Sequence, residues 1–240
     1  MTKPKDDGLP AELDQFAQQN AGQGLSDNLD DLSRLILTVL HQNSPQVDAR
    51  GADYIDGAEP GRLWLRGSNE PIRDHVDGLF ITQLHLLTEW AADRGGFVAR
   101  HGDLPDDAQV SSGGSGRLTY VRANRNILED TRETYWLIEG QLYMLPLKST
   151  GHQFARDLQS FFRAQKHPKT GDKLPPYVHR LRLTSTPRSN SKGKWWGLKF
   201  EKIGWASLAE CQQAKALSED VVRGLLPSSS VASISGPKAA

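Results

Sequence analysis

Tyr177 to Ile203 reads Tyr-Val-His-Arg-Leu-Arg-Leu-Thr-Ser-Thr-Pro-Arg-Ser-Asn-Ser-Lys-Gly-Lys-Trp-Trp-Gly-Leu-Lys-Phe-Glu-Lys-Ile, and two strands joined by a basic connection account for all of it. Up to Ser185 the side chains alternate. His179, Leu181 and Leu183 share one face, and Val178, Arg180, Arg182 and Thr184 share the other, as a period of two requires. Thr186 to Lys194 is turn-forming and cationic, with Arg188, Lys192 and Lys194 in it. From Trp195 the alternation resumes, with Trp196, Leu198 and Phe200 on one side and Trp195, Gly197, Lys199 and Glu201 on the other. If the apolar faces pair, Arg180, Arg182, Lys199 and Trp195 lie on one surface, and Gly197 leaves room there for a flat ligand. Cations for phosphates and an aromatic plane for bases are what single-stranded nucleic acid needs. The plainer reading of adjacent tryptophans is one core residue and one rim residue; in the ligand reading Trp196 belongs to the core and Trp195 stacks on a base.

Charge is divided along the chain. The 240 residues carry no net charge, yet positions 148 to 202 hold thirteen Lys and Arg against Asp157, Asp172 and Glu201, which makes that segment +10 and the remainder −10. A basic segment points to a polyanionic partner. The first sixty positions carry eleven acids against Lys3, Lys5, Arg34 and Arg50, an acidic arm able to compete for the basic surface. The single cysteine, Cys211, permits no internal disulfide, and no apolar run is long enough to span a bilayer. A cytoplasmic protein without membrane partners is expected, and homo-oligomerisation is left open.

The other elements follow from caps, breakers and periodicity. Helices are expected over Ala11 to Asn20 and over Asp27 to Gln42, the second with Leu29, Leu32, Ile36, Val39 and Leu40 on its apolar face. Strands are expected at Arg62 to Leu65, Gly78 to Trp90, Phe97 to His101 and Arg117 to Arg122, with a mobile loop over Leu104 to Gly116. Glu133 to Glu139 and Gln141 to Lys148 read as strand around a turn at Gly140. Ser149 or Thr150 then caps a helix with Phe154, Leu158, Phe161 and Phe162 on its buried side. A last helix covers Ser207 to Leu225.

The order β-β-β-α-β-β, with a helix between the third and fourth strands, is that of the five-stranded OB barrel. The expected fold is therefore α+β, either an OB-like barrel or a curved antiparallel sheet, with N- and C-terminal helices. Its divisions are an acidic arm at 1–60, a nucleic-acid-binding domain at 61–205, a helix at 206–226 and a disordered tail at 227–240. The expected contacts are Lys148, Arg156, Tyr177, Arg180, Arg182, Arg188, Lys192, Lys194, Trp195 and Lys199, with Trp195 and Tyr177 as the stacking residues.

Enzyme signatures are missing. There is no phosphate-binding G-x-x-x-x-G-K-[ST], no G-x-G-x-x-G opening a helix, no H-E-x-x-H and no G-x-S-x-G. The seven histidines lack ligand spacing. Asp103, Asp106 and Asp107, and Glu129, Asp130 and Glu133, are acid groups that a metal-dependent nuclease could use, although turn or surface roles account for both. A protein without catalysis or cofactor is expected. Its rivals are an interaction or structural protein docking an acidic partner and, third, the nuclease.

The segments Leu145-Pro146-Leu147-Lys148-Ser149-Thr150-Gly151, Pro175-Pro176-Tyr177 and Ser189-Asn190-Ser191-Lys192-Gly193-Lys194-Trp195-Trp196 resemble a group of tailed-bacteriophage early-region proteins. Ser44-Pro45-Gln46 and Tyr54-Ile55-Asp56-Gly57-Ala58 are similar as well, so the resemblance runs over residues 25 to 205. It implies a single-stranded DNA-binding protein of phage replication or recombination, with proteins of those processes as further partners. The terminal Gly236-Pro237-Lys238-Ala239-Ala240 departs from the acidic tip through which many single-strand binders recruit partners.

Overall fold

The computed structural model describes residues 35–92, 96–113, 117–191 and 193–223. The fold is α+β, mostly antiparallel strands curled into a half-barrel with two helices. Its long strands are β4 (His75–Trp90), β8 (Ile127–Ile138), β9 (Gln141–Lys148), β10 (His179–Asn190) and β11 (Gly193–Trp205). Shorter strands β5 (Phe97–His101), β6 (Gln109–Gly113) and β7 (Arg117–Val121) complete the main sheet. Its path runs β11-β10-β4-β8-β7-β6, with β5 added on β4 and β9 on β8. A second sheet joins β1 (Leu37–Val39), β2 (Leu63–Leu65) and β3 (Ile72–Arg73).

Period-two patterning explains which faces are covered. Leu181 and Leu183 of β10 point inward beside Val76, while Phe80 meets Trp136 edge to face at 5.4 Å. Helix α1 (Gly151–Ala164) lays Phe154, Ala155, Leu158 and Phe162 over that layer, as residues at helical spacing on one apolar stripe must. The small sheet closes the open side of the curl by adding Leu37, Val39, Leu63 and Leu65. Strand β1 reaches β9 through a single parallel bridge, Ile36 to Met144. On the opposite face of the main sheet, α2 (Leu208–Val222) packs Ala214 against Leu79, Ile81 and Leu137. Ser207 and Glu210 close a capping box at its start.

Local chemistry sets the turns. β8 and β9 are joined by Glu139 and Gly140 with φ of 51° and 78°, the paired positive values of a two-residue hairpin turn. Gly61 has φ +95°, and a Cβ there would come within 2.7 Å of the Trp196 ring, so the indole lies directly on the glycine backbone.

Three expectations change. The helix over Asp27 to Gln42 gives way, from residue 35 on, to an extended segment with β1 in it. Leu37 and Val39 point into the core together, and pairing with β2 outweighs a helical pattern that short. The loop over Leu104 to Gly116 contains β6, whose backbone groups bond to β7. Thr150 occupies the N-cap of α1, but its side chain makes no capping bond, and Ser149 sits at φ 54° instead. The helix expected over Ala11 to Asn20, the rest of the acidic arm before residue 35 and the tail after 223 lie outside the described residues. No described helix is long and apolar enough to cross a membrane.

Two measurements check the packing. Trp196→Ala, which removes a half-buried ring from the core margin, should lower stability by about 2 to 3 kcal/mol, and Gly61→Ala by more than about 1 kcal/mol, both read by denaturant titration. His179 is fully buried beside Phe161, Phe162 and Trp205, and burial, aided by the nearby Lys202 ammonium, drives its imidazole down to about 4. The unfolded chain therefore takes up the proton first as pH falls. The stability concerned is fully present above about 6.5 and is lost towards 4. The thermal midpoint should drop across that window, and His179→Leu should flatten that part of the profile.

Candidate nucleic-acid interface

The β10–β11 hairpin closes with Asn190 opposite Gly193, so the expected basic connection is continuous ladder almost to its tip. Pairing places Arg188 opposite Trp195, Thr186 opposite Gly197, Thr184 opposite Lys199 and Arg182 opposite Glu201. Arg182, Arg188, Trp195 and Lys199 therefore share one face. Pro187 with Trp196, Ser185 with Leu198 and Leu183 with Phe200 form the other, where Trp196, Leu198 and Phe200 pack on the main core.

Tertiary partners then divide the candidate cations. Arg182 makes a two-pronged bond to Asp77, with both N···O distances at 2.7 Å, and that bond holds the Asp77 carboxyl below its ordinary range. Arg180 is paired with Glu210, whose carboxyl is pulled down to about 2 chiefly by that hydrogen bond. Lys148 donates to Glu129 at 2.5 Å with its ammonium 4.3 Å from the centre of the Trp90 ring. These three expected phosphate contacts are engaged within the fold. Tyr177 also departs from expectation. It lies in the 3-10 turn Pro176–Val178 and packs against the apolar cluster beneath α2, far along the ladder from Trp195.

What remains converges at the hairpin tip. A groove of about 540 Å³ runs between the free edge of β11 and the segment that leads from β9 into α1. Trp195, Trp196, Arg188 and Arg156 line it, and so do Ser149, Thr150 and Gly151 at the helix start. A neighbouring depression of about 610 Å³ shares His41, Arg188, Trp195 and Trp196 with it and adds Lys194. Arg156 is steadied by Gln153 Oε1 at 2.9 Å, and among the described residues no ion pair engages Arg156, Arg188, Lys194 or Lys199. The first turn of α1 holds no acidic residue, so its dipole adds to the positive potential of the groove. The room expected over Gly197 is filled instead. A Cβ there would come within 2.9 Å of Arg188 Nε, so the arginine side chain lies across the glycine. Lys199 is exposed, and Lys192 lies outside the described residues.

Sequence reasoning missed His41. It arrives on the segment that follows β1 and lines both hollows, where partial burial lowers its pKa. Nothing local marks it out, because its position depends on a sheet formed with residues more than twenty positions away.

Several members of the two acid groups are engaged within the fold. Asp107 is bonded to Arg122 at 3.0 Å, Asp130 to His85 at 2.8 Å, and buried Glu133 lies 2.8 Å from both Arg100 Nε and the Tyr135 hydroxyl. Among the described residues no group of three or more His, Cys, Asp and Glu side chains is placed to hold a metal ion.

No curated protein and no solved structure matches the chain. The family model described as Pam3 phage gp34-like protein matches residues 5–226, and the chain belongs to that phage protein family.

Proposed function

We propose that this protein binds single-stranded DNA without catalysis, in the groove at the tip of the β10–β11 hairpin. The observation that carries this reading is the meeting of the Trp195 indole with Arg188 and Arg156, two guanidinium groups free of ion pairs among the described residues, beside a helix start without acids. An aromatic plane and unpaired cations in one groove supply the two contributions that single strands need, stacking and phosphate neutralisation. The curled sheet with α1 between β9 and β10 is OB-like in this reading, and the hairpin stands in place of the loop between strands four and five. Such a protein would act in the host cytoplasm beside replication or recombination proteins.

The ion pairs sharpen the expected chemistry. Of the expected contacts, Arg156, Arg188, Lys194 and Lys199 are the described cations left for phosphates, so log affinity should fall with log salt at a slope of about −3, at about −0.7 per phosphate. A flat response in a folded sample would remove the electrostatic contribution and the reading with it.

Substitutions should separate in the same way. Trp195→Ala should weaken binding by about 1 to 3 kcal/mol and abolish most of the fluorescence quenching on adding oligonucleotide. Arg188→Gln should lower affinity and reduce the salt slope by close to one phosphate, whereas Arg182→Gln should lower the melting temperature through unpaired Asp77 and leave the slope unchanged. Equal effects of the two arginine changes on the slope would contradict the assignment of the groove.

A further inference from the structure

The opposite end of β11 carries an indole that the fold leaves uncovered. Trp205 is 60% exposed, with Ile203 also exposed beside it. One side of the ring approaches buried His179, the centroids 4.9 Å apart, and Lys202 Nζ lies 3.4 Å from the indole centroid. A cation over an aromatic ring joins positive charge to a stacking plane, the two features that the groove also gathers at Trp195.

Helix α1 connects the two ends. Phe154 and Phe161 both pack on Phe200, at 5.8 and 5.4 Å, so the helix lies along β11. Its start borders the groove, and Phe161 near its end reaches His179 at 5.6 Å, beneath Trp205. Arg156 and Arg163 are exposed and two turns apart on one face of this helix. Neither they nor Lys202 enter an ion pair among the described residues. Ten residues separate Trp195 from Trp205, about 33 Å of strand, and the register sets Trp195 opposite Arg188 but Trp205 opposite His179, on the α1 side of the ladder, so a strand that touches both passes round the free edge of β11.

We infer that Trp205 and Lys202 form a second stacking station for the same DNA strand, which enters at the Trp195 groove and follows β11 and α1 to the far end. This inference rests on the reading of the groove as a single-strand site. The ligand is a continuous stretch of single-stranded DNA on the order of five to eight nucleotides, within the range of about 4 to 16 known for folds that bind such strands. Lys202 would exchange the indole face for a phosphate, and the vacated face would take a base.

Fluorescence anisotropy with labelled oligothymidylates of about four and about twelve nucleotides tests this. On the longer probe Trp205→Ala should weaken binding about tenfold and Lys202→Gln about threefold. On the shorter probe, which one station can hold alone, Trp205→Ala should cost no more than about twofold, while Trp195→Ala should weaken both probes. Trp205→Phe, which keeps an aromatic ring over His179, serves if the alanine variant melts early, and should retain most of the affinity for the longer probe. Unchanged affinity of Trp205→Ala and Lys202→Gln for the longer probe would overturn the second station while leaving the groove in place. Loss of self-association in Trp205→Ala with no change in DNA affinity would overturn it too and make the patch a protein contact. Wild-type protein that binds neither probe would remove the groove reading itself.

Discussion

Strand β4 carries the architecture, because one run of sixteen residues has to satisfy three partners. Its first residues pair with β10, its middle and end with β8, and its last four with β5. The ladder to β8 slips between Phe80 and Thr82, and near that point Gly78 lies so close to β8 that a Cβ would meet the Leu137 carbonyl oxygen at 2.9 Å. The slip bends the strand locally, and alternation turns Phe80 towards α1 while Leu79 and Ile81 contribute to the cluster under α2. Both hydrophobic layers, and through α1 the wall of the groove, depend on that bend.

Electrostatics follows the same geometry and not the linear order of the chain. Arg180 and Arg182 belong to the most basic segment of the sequence, yet β4 brings Asp77 to one and α2 brings Glu210 to the other. At the distal end of β4, Glu89 is 1% exposed and receives bonds from Arg122 at 2.9 Å and from Asn126 at 2.6 Å, with His101 Nε2 at 2.6 Å. A buried carboxylate without such partners would be strongly destabilising. Cations are thus consumed where the sheet needs them, and of the expected contacts those left over lie on the hairpin and α1.

Much of this was legible from residue patterns. Alternation in Leu181, Leu183, Trp196, Leu198 and Phe200 was enough to define the faces of the last hairpin, because a period of two admits only one inward set. The turn at Gly140 was legible for a similar reason. Strand β1 was not, since Ile36 to Leu40 is apolar at nearly every position and a short apolar run fits either period. Nor were the ion pairs of Arg180 and Arg182, which join residues 30 and 105 positions apart, or the arrival of His41. Contacts of that span leave no local trace, so the candidate face was drawn too wide, and it contracts to the hairpin tip once they are known.

Strand β11 pairs only with β10 among the described residues, so one side of its backbone remains unsatisfied by any sheet neighbour. Bare edges of this kind invite a strand from another molecule and are the usual seed of aggregation. Here Lys194, Lys199 and Lys202 are spaced along the edge and Gly193, Gly197 and Gly204 interrupt its side-chain ridge, so two copies brought edge to edge would set like charges against each other over poorly filled gaps. The same lysines that make the strand attractive to a polyanion keep it from zipping onto itself.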